Sequence, residues 1–541
     1  MQAVATRWRP KAAGEPPVTE PAQCPAPDGA LCDVIRARSV LLGDRAYLEH
    51  ARDDRMVLSF RGLEERMDRW RSLLAGLRAR GLSTVGLVVA DPMAFADAFL
   101  GAVSAGFWVA PLDPCLPVSG GGGLAAALAR AGVDVVLADR PTPSGVDGVW
   151  IELDRLEHME EGPATRPGAT APPRAGGGVV LSSSGTTGTP KVVRLGQDKL
   201  LHTARGVATH LQLAPEDRGF NPLPLFHINA EVVGLLSTLL AGSSLVLDDR
   251  FHRSGFWDLM GRRSITWINA VPAIVSRLSG LEPDETVPGG IRFIRSASAP
   301  LPVAVADRFE ANTGIRVVET YGMTEAASQI TAHPLAVPRR PGSVGLPVGV
   351  NLRIVRQKDP VGCPLEAPEF HIGHVEISGA SVIDSYVGGT HRDHFGNGWM
   401  RTGDLGHRDA DGFVYLHART DDVINRGGEK VLPREVEEVI GADPFVDAAA
   451  VVGRDDPELG QVPVAYVVLR SDDDEDPSAP GLDARQAADR IKKSLERDLV
   501  RAKRPVALYV VEALPAGPTG KVKRRLLGSP DVPVLFTFDL R

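Results

Sequence analysis

Apolar residues recur first at helical spacing and then in short runs along this chain. The first predicted helix has one apolar face, formed by Leu63, Met67, Trp70, Leu73, Leu74 and Leu77. Gly81 is placed to end that helix. The runs VGLVVA (85–90) and WVAPLD (108–113) predict buried strands, and the segment 91–106 between them predicts a helix capped by Asp91. Strands and helices therefore alternate from the start of the ordered pattern.

The same alternation continues through most of the sequence. Further helices are predicted around 124–132 and 301–312, and further strands at 134–139, 178–183, 264–270 and 315–320. Alternation of this kind is typical of an α/β fold with mainly parallel sheets. The Pro- and Gly-rich stretch 161–178 predicts a surface connection.

The pattern changes near residues 415–430. Beyond this point the predicted elements are strands at 447–453, 462–470 and 506–511 and a helix at 484–500. Together they predict a second, small α+β unit of about 120 residues.

Composition narrows the possible classes of function. The chain has 541 residues, 43% of them hydrophobic, and a net charge of −8, which argues against electrostatically driven nucleic-acid binding. Its four cysteines, Cys24, Cys32, Cys115 and Cys363, are widely spaced and form no CxxC pair, so we expect neither a disulfide framework nor a zinc site. The sequence contains no run of about 18 apolar residues, so we expect no membrane-spanning helix. The first 34 residues lack an apolar signal core, so we expect a flexible tail and a cytoplasmic enzyme.

One loop concentrates small polar residues directly after a predicted strand. Residues 182–191 read SSSGTTGTPK, a sequence whose backbone N–H groups, hydroxyls and lysine suit phosphate oxygens. It is not a Walker A loop, because Pro190 stands where that motif needs its second glycine, and it lacks the Rossmann GxGxxG. Taken alone, the loop is either a phosphate cradle or a mobile turn.

Four further blocks lie in a characteristic order: ETYGMTE (319–325), WMRTGDLG (399–406), YLHARTDDVINRGGEKV (415–431) and LPAGPTGKVKRRLL (514–527). With the loop, they resemble the adenylate-forming superfamily of acyl- and aryl-CoA synthetases, over roughly residues 35 to 527. The resemblance implies activation of a carboxylic acid by Mg-ATP as acyl-AMP, with pyrophosphate release, and then transfer to coenzyme A. It also implies a large adenylation domain at 35–420 and a small mobile domain at 421–541.

The resemblance assigns the nucleotide site residue by residue. Tyr321 would stack on adenine, Thr324 would contact the α-phosphate, and Glu325 would hold Mg²⁺, which prefers oxygen ligands. Asp404 and Arg419 would bind the ribose. The loop residues expected to hold the β- and γ-phosphates are Ser183, Ser184, Gly185, Thr186, Thr187, Gly188 and Lys191.

The same family pattern extends into the small domain. Lys521, in PTGK, would bridge the substrate carboxylate and the α-phosphate. Asp421 falls at the family hinge, about which the small domain rotates between an adenylating and a thioester-forming pose. Gly427 and Gly428 would line the pantetheine tunnel of the second pose.

The acyl pocket is where this sequence departs from many relatives. Residues 296–301 read SASAPL, so Ala297 and Ser298 replace glycines at positions lining adenine and the acyl chain. The family places Ser298, Ala299 and Pro300 beside the nucleotide. The added side chains favour a shallow pocket, and FIRSASAPL and PGSVGLPVG look most like oxalate-type, small-acid CoA ligases.

Histidines leave several interpretations open. His227, in PLFHINA, is either a structural histidine or a wall of the acyl pocket. The pairs His371/His374 and His391/His394 have metal-like spacing, but they lie in loops without cysteine, and a metal site is the less favoured interpretation. His374 and Ala418 also replace commoner family residues, at positions that carry no catalytic role.

The sequence leaves two functions open. The first is a small- or aryl-acid CoA ligase. The alternative is an adenylating enzyme of a natural-product pathway that passes its acyl group to a carrier protein in trans, an amine or another nucleophile. Neither the acid nor the acceptor is fixed by the sequence, and neither function involves nucleic acid or a membrane span.

Overall fold

The computed structural model describes residues 29–118, 123–144, 146, 148–153, 176–183, 191–282, 284–358, 364–470, 484–517 and 521–540. The early part of the predicted tail and most of the predicted connection 161–178 lie outside these residues. Within them no helix is long and apolar enough to cross a lipid bilayer.

A large mixed sheet forms the centre of the molecule. Its strands in the described part of the chain, in spatial order, are Leu346–Pro347, Ser328–Ala332, Arg316–Met323, Phe293–Ser296, Trp267–Ala270, Arg218–Asn221, Ser244–Leu247, Ala46–His50 and Val57–Ser59. The six strands from Arg316–Met323 to Ala46–His50 run parallel, and the remaining pairings are antiparallel. The mainly parallel α/β class is thus confirmed, and the predicted strands at 264–270 and 315–320 belong to this sheet.

A second sheet is built mainly from the earlier strands. In spatial order its described strands are Val149–Glu152, Val135–Ala138, Thr84–Val88, Trp108–Pro111, Gly178–Ser183 and Lys191–Gly196. All neighbours are parallel except the last pair, which is antiparallel. These last two strands flank the Ser/Thr/Gly segment, whose residues 184–190 lie outside the described residues.

A third sheet is antiparallel throughout, which the sequence pattern did not predict. Its described strands are Pro364–Glu366, Asn351–Lys358, Gly373–Ser378, Trp399–Arg408, Phe395–Gly396 and Val414–Arg419. The strand Trp399–Arg408 alternates half-buried and buried positions over most of its length. One face of this sheet is therefore partly solvated, as antiparallel sheets allow.

The helices of the large domain cover and separate these sheets. Pro92–Ser104 contacts strands of both the first and the second sheet, as does Gln197–His210. Because Pro92–Ser104 lies between sheets, it is buried around most of its circumference. The other helices described here are Leu31–Leu42, Phe60–Ala79, Leu124–Ala131, the π-helix Ala230–Leu236, Ser237–Ala241, Phe256–Arg262, Pro272–Leu278 and Val303–Thr313.

Close packing in this region depends on one glycine. Gly101, in Pro92–Ser104, faces the indole of Trp70 from the neighbouring helix. A Cβ atom at Gly101 would lie 2.2 Å from that ring. The helices Phe60–Ala79 and Pro92–Ser104 can therefore approach closely only at a residue without a side chain.

The C-terminal part forms a separate sheet with its own cores. Its described strands are Glu429–Val431, Ile424–Arg426, Gly460–Leu469, Ala507–Val511 and Val534–Asp539, and Val446–Asp456 also pairs with Gly460–Leu469. The helices Pro433–Gly441 and Ala484–Asp498 accompany it. One buried cluster extends from Leu31 to Val414, whereas separate clusters begin at Ile424.

Candidate active site

The end of a central strand supplies two of the predicted nucleotide residues. Arg316–Met323 ends in a 3₁₀ turn, Thr324–Ala326, where Thr324 is half-buried and Glu325 is only 5% exposed. Tyr386 donates a hydrogen bond to Glu325 Oε1 at 3.0 Å. A carboxylate held in this way offers the hard oxygen that Mg²⁺ prefers, so the side chain fits its predicted role.

Asp404 joins two other predicted residues into one unit. The Tyr321 hydroxyl donates to Asp404 Oδ2, and Arg419 Nη1 lies 3.6 Å from Asp404 Oδ1. Asp404 and Arg419 are register partners on adjacent antiparallel strands. Burial, followed by the nearby Asp404 charge, raises the pKa of Tyr321 well above its usual value. The phenol is therefore a stable donor that fixes the orientation of the carboxylate.

The phosphate loop is described only at its two ends. Ser183 and Lys191 face each other as the last register pair of the hairpin. Lys191 Nζ lies 5.0 Å from the centre of the Tyr386 ring, within cation–π range. The predicted phosphate ligands Ser184, Gly185, Thr186, Thr187 and Gly188 lie outside the described residues. Tyr386 thus contacts both Lys191 and Glu325, although no sequence motif singled it out.

Lys521 of the small domain lies at the same cleft. Burial of its ammonium, followed by the positive charge of Arg419, lowers the pKa of Lys521. Asp404, Asp422 and Glu325 act in the opposite direction. The residue keeps solvent access as a whole. Lys521 therefore lies close enough to the predicted ribose and Mg²⁺ residues to interact with their charges.

A small cavity lies beside the predicted acyl-binding residues. It holds about 10 Å³ and is lined by Leu223, Pro224, His227, Asn229, Ala230, Val271 and Ser298. His227 Nε2 is buried without a hydrogen-bond partner among the described residues. Burial lowers the pKa of His227 to about 4, although Asp113 opposes this shift, so the imidazole is neutral at pH 7.

The SASAPL segment divides between the cavity and the core. Ser298 is exposed and borders the cavity with a left-handed φ of 74°, and it is followed by the half-buried Ala299 and the exposed Pro300. Ala297 is 7% exposed, and its backbone N–H donates to the Ala270 carbonyl at 3.2 Å. Ser298 therefore lines this cavity, whereas Ala297 is buried and is not among its lining residues, and a role of either position in binding adenine or the acyl chain stays a prediction.

The predicted hinge and tunnel residues occupy simple local structures. Asp421 is exposed in the 3₁₀ turn Thr420–Asp422. Gly427 and Gly428 form the turn of the hairpin Ile424–Val431, with φ of 59° and 94°. A Cβ atom at Gly428 would meet open space. In this pose the glycines are required by backbone conformation, and the close approach expected in a tunnel is absent at Gly428.

The histidine pairs differ from one another. His371 Nδ1 bonds the Glu369 carbonyl at 2.9 Å, and His374 Nδ1 is buried without a partner among the described residues. His391 and His394 lie with Asp393 so that one ligand atom of each is within 4.8 Å of the others. Burial, followed by the positive charge of Lys191, lowers the pKa of His394. A cation at this cluster would have to compete with that lysine.

Sequence comparisons define the family. The family model for AMP-binding enzymes matches residues 40–387, and the family model for the AMP-binding enzyme C-terminal domain matches residues 435–521. The chain belongs to the AMP-binding enzyme family.

Curated relatives place it in a branch of that family. The chain is 38% identical over 403 residues to a sulfoacetate–CoA ligase of Cupriavidus necator, covering 74% of each protein. It is 33% identical over 354 residues to an oxalate–CoA ligase of Saccharomyces cerevisiae, covering 64% of this chain and 62% of the relative. The chain is accordingly an AMP-forming acyl-CoA synthetase, which activates a small or aryl acid with ATP and Mg²⁺ and transfers it to coenzyme A.

Solved structures show the same fold. ATP-bound MatB from Rhodopseudomonas palustris is similar with a TM-score of 0.78 at 26% identity, over 92% of this chain and 98% of that one. The AMP complex of the O-succinylbenzoate CoA synthetase from Bacillus subtilis gives a TM-score of 0.75 at 26% identity, over 91% and 97% of the two chains. These neighbours confirm the predicted α/β architecture with a separate C-terminal domain.

Proposed function

We propose that the cleft between the two domains activates a compact carboxylic acid, with the roles that follow. The observation that carries this proposal is the approach of Lys521, from the small domain, to the cluster of Asp404, Glu325 and Arg419. A lysine at this place partly neutralises the two anions that must meet, the substrate carboxylate and the α-phosphate.

The first half-reaction follows from these positions. A carboxylate oxygen attacks the α-phosphorus, the bond to the bridging oxygen breaks, and pyrophosphate leaves. Asp404, oriented by Tyr321 and Arg419, accepts hydrogen bonds from the ribose hydroxyls. Glu325, held by Tyr386, would hold Mg²⁺, which would neutralise charge on the phosphates. Lys191 and the loop before it retain the leaving pyrophosphate.

The second half-reaction requires the small domain to move. The thiol of coenzyme A loses its proton and attacks the acyl carbon, and AMP leaves. We propose that Asp421 is the pivot, with 35–420 and 421–541 as the two bodies. The division of buried clusters between Val414 and Ile424 supports this boundary. The relatives' names favour coenzyme A over a carrier protein as acceptor. Within the described part of the chain Cys32 and Cys115 are free thiols, which supports a reducing, cytoplasmic setting.

Replacing the lysine separates the two half-reactions. Lys521→Ala should slow acyl-AMP formation by about 10²–10³-fold, because preorganised charge at the transition state is lost. It should leave thioester formation from supplied acyl-AMP nearly unchanged. Single-turnover assays of each step measure this difference. Lys523→Ala, which removes a lysine two residues away, is the matched control. An equal loss in both steps would refute the assigned role.

The cavity size predicts the length of the acid. The cavity holds only about 10 Å³, far below the roughly 300–1,000 Å³ usual for ligand pockets, so in this pose a long chain has no room. We expect kcat/KM to be higher for at least one acid of fewer than ten carbons, an arbitrary threshold, than for palmitate. A panel of acids assayed by pyrophosphate release decides the point. Faster turnover of palmitate than of every shorter acid would exclude a compact pocket.

A further inference from the structure

A buried arginine lies beside the acyl cavity without an acidic partner among the described residues. Arg295 is on the central strand Phe293–Ser296 and is only 1% exposed. Its Nη1 donates to Asn229 Oδ1 at 2.8 Å and to Asn269 Oδ1 at 3.1 Å. Its Nη2 donates to Gln329 Oε1 at 3.2 Å. All three acceptors are neutral amide oxygens.

Such an arrangement is costly unless a negative charge completes it. A buried cation normally has an anionic partner, because desolvation far exceeds what neutral acceptors return. Burial lowers the pKa of Arg295 to about 9, so the guanidinium still carries its charge at pH 7. Within the described part of the chain, Glu231 is also fully buried and its carboxylate oxygens have no hydrogen-bond partner. Burial raises the pKa of Glu231 well above the usual range, which favours its uncharged form.

The amides around Arg295 leave donors without acceptors. Asn229 and Gln329 use their oxygens to accept from the guanidinium, which turns their NH₂ groups elsewhere. Both Asn229 Nδ2 and Gln329 Nε2 are buried and unpartnered within the described part of the protein. Native proteins rarely leave such donors unsatisfied without a functional reason. The surplus at these amides is of donors, which points to a missing acceptor.

These donors are connected to the acyl cavity. Asn229 and His227 line its wall, and His227 Nε2 is also buried without a partner in the described structure. His227 is neutral, so this nitrogen can carry a hydrogen and donate. Arg295 is one hydrogen bond from the cavity through Asn229. An acceptor in the cavity would meet a histidine and an amide that the buried cation orients and polarises.

We propose that this group, defined as Arg295, Asn229, Gln329 and His227, binds a second anionic group of the substrate acid, either a carboxylate or a sulfonate. The inference rests on the proposed function, since it concerns the acid activated in the same cleft. The substrate would be a compact dianion whose reacting carboxylate faces the α-phosphate while its other acidic group faces Asn229. The cavity holds only about 10 Å³ in this pose, which favours a short spacer between the two groups.

The wild-type enzyme tests the proposal through shape-matched pairs of acids. Malonate is compared with isovalerate, succinate with 4-methylpentanoate, and sulfoacetate with 3,3-dimethylbutyrate, so that only the second charge differs. We expect kcat/KM for at least one dianion to exceed that of its singly charged partner about 100-fold. The preferred pair distinguishes a carboxylate from a sulfonate. If kcat/KM for the singly charged partners equals or exceeds that for the dianions, the inference is overturned and the proposed function stays intact. Absence of pyrophosphate release with every acid would instead remove the proposed function.

Variants connect the preference to Arg295. Arg295→Met should reduce the ratio of kcat/KM between dianion and monoanion about 100-fold. Arg295→Lys should retain part of the preference for the dianion. Arg316→Met is the matched control, because Arg316 lies on the adjacent strand and donates to backbone carbonyls. It should keep the wild-type ratio. Melting curves establish that each variant is folded, and Asn229→Leu replaces Arg295→Met if the latter unfolds. An unchanged ratio in a folded Arg295→Met or Asn229→Leu variant would overturn the proposal.

Discussion

At the scale of single residues, the site is organised by paired polar groups. Asp404 is fixed by Tyr321 and Arg419, and Glu325 is fixed by Tyr386. The family motifs predicted Tyr321, Asp404, Arg419 and Glu325, since each lies in a contiguous block. Tyr386 and Arg295 were not predicted as site residues, because their roles arise from contacts between segments far apart in the sequence and no local pattern marks them.

His227 makes stability depend on pH in a defined direction. Its folded pKa is about 4, below the ordinary value of 6.5, so the unfolded chain takes up a proton first as pH falls. Stability is therefore unaffected above pH 6.5 and decreases between 6.5 and 4. At about pH 5 the loss is about 1–2 kcal/mol. The melting temperature of the wild type should fall more between about pH 7 and pH 5 than that of His227→Gln. Parallel curves for the two proteins would show that His227 titrates normally.

At the scale of elements, hydrophobic periodicity predicts well which segments form helices and strands, and it predicts poorly which strands pair. The helix Pro92–Ser104 begins as expected, with Asp91 Oδ1 accepting from the Ala94 N–H at 2.7 Å. The strands Thr84–Val88 and Trp108–Pro111 match the predicted runs to within a residue or two. The antiparallel sheet containing Trp399–Arg408 was missed, because partial alternation in the middle of an α/β sequence does not reveal which strands pair.

The turn Thr420–Asp422 gives the clearest test of an element. Asp421→Pro should leave acyl-AMP formation nearly intact, because the fixed φ near −65° fits a 3₁₀ turn. Transfer to coenzyme A should fall by orders of magnitude, since proline cannot follow a large backbone rotation, and acyl-AMP should accumulate on the enzyme. Single-turnover measurement of bound acyl-AMP, with a melting curve, checks both points. Normal transfer by the folded variant would exclude residue 421 as the pivot.

At the scale of the whole molecule, polar contacts between the described parts of the two domains include two hydrogen bonds. Arg434 Nη1 donates to the Leu416 carbonyl at 3.0 Å, and Ser276 Oγ donates to Asp447 Oδ1 at 3.3 Å. Polar interfaces between domains permit relative motion. Within the small domain, Arg524 pairs with Glu437 at 2.5 Å and lies 3.6 Å from Asp422, and so links the Lys521 segment to the turn proposed as the hinge. The pose is therefore compatible with the proposed adenylation step and with the proposed pivot at Asp421.

The most direct test of the proposed two-step reaction follows all of its products at once. Purified enzyme is incubated with Mg-ATP and each acid of the compact panel, with and without coenzyme A, while pyrophosphate, AMP and thioester are measured. We expect acid-dependent pyrophosphate release for at least one compact acid, with AMP and acyl-CoA formed in equal amounts only when coenzyme A is present. The proposed reaction would be contradicted if none of the acids in the panel caused pyrophosphate release. It would also be contradicted if acyl-AMP formed but was never converted to acyl-CoA.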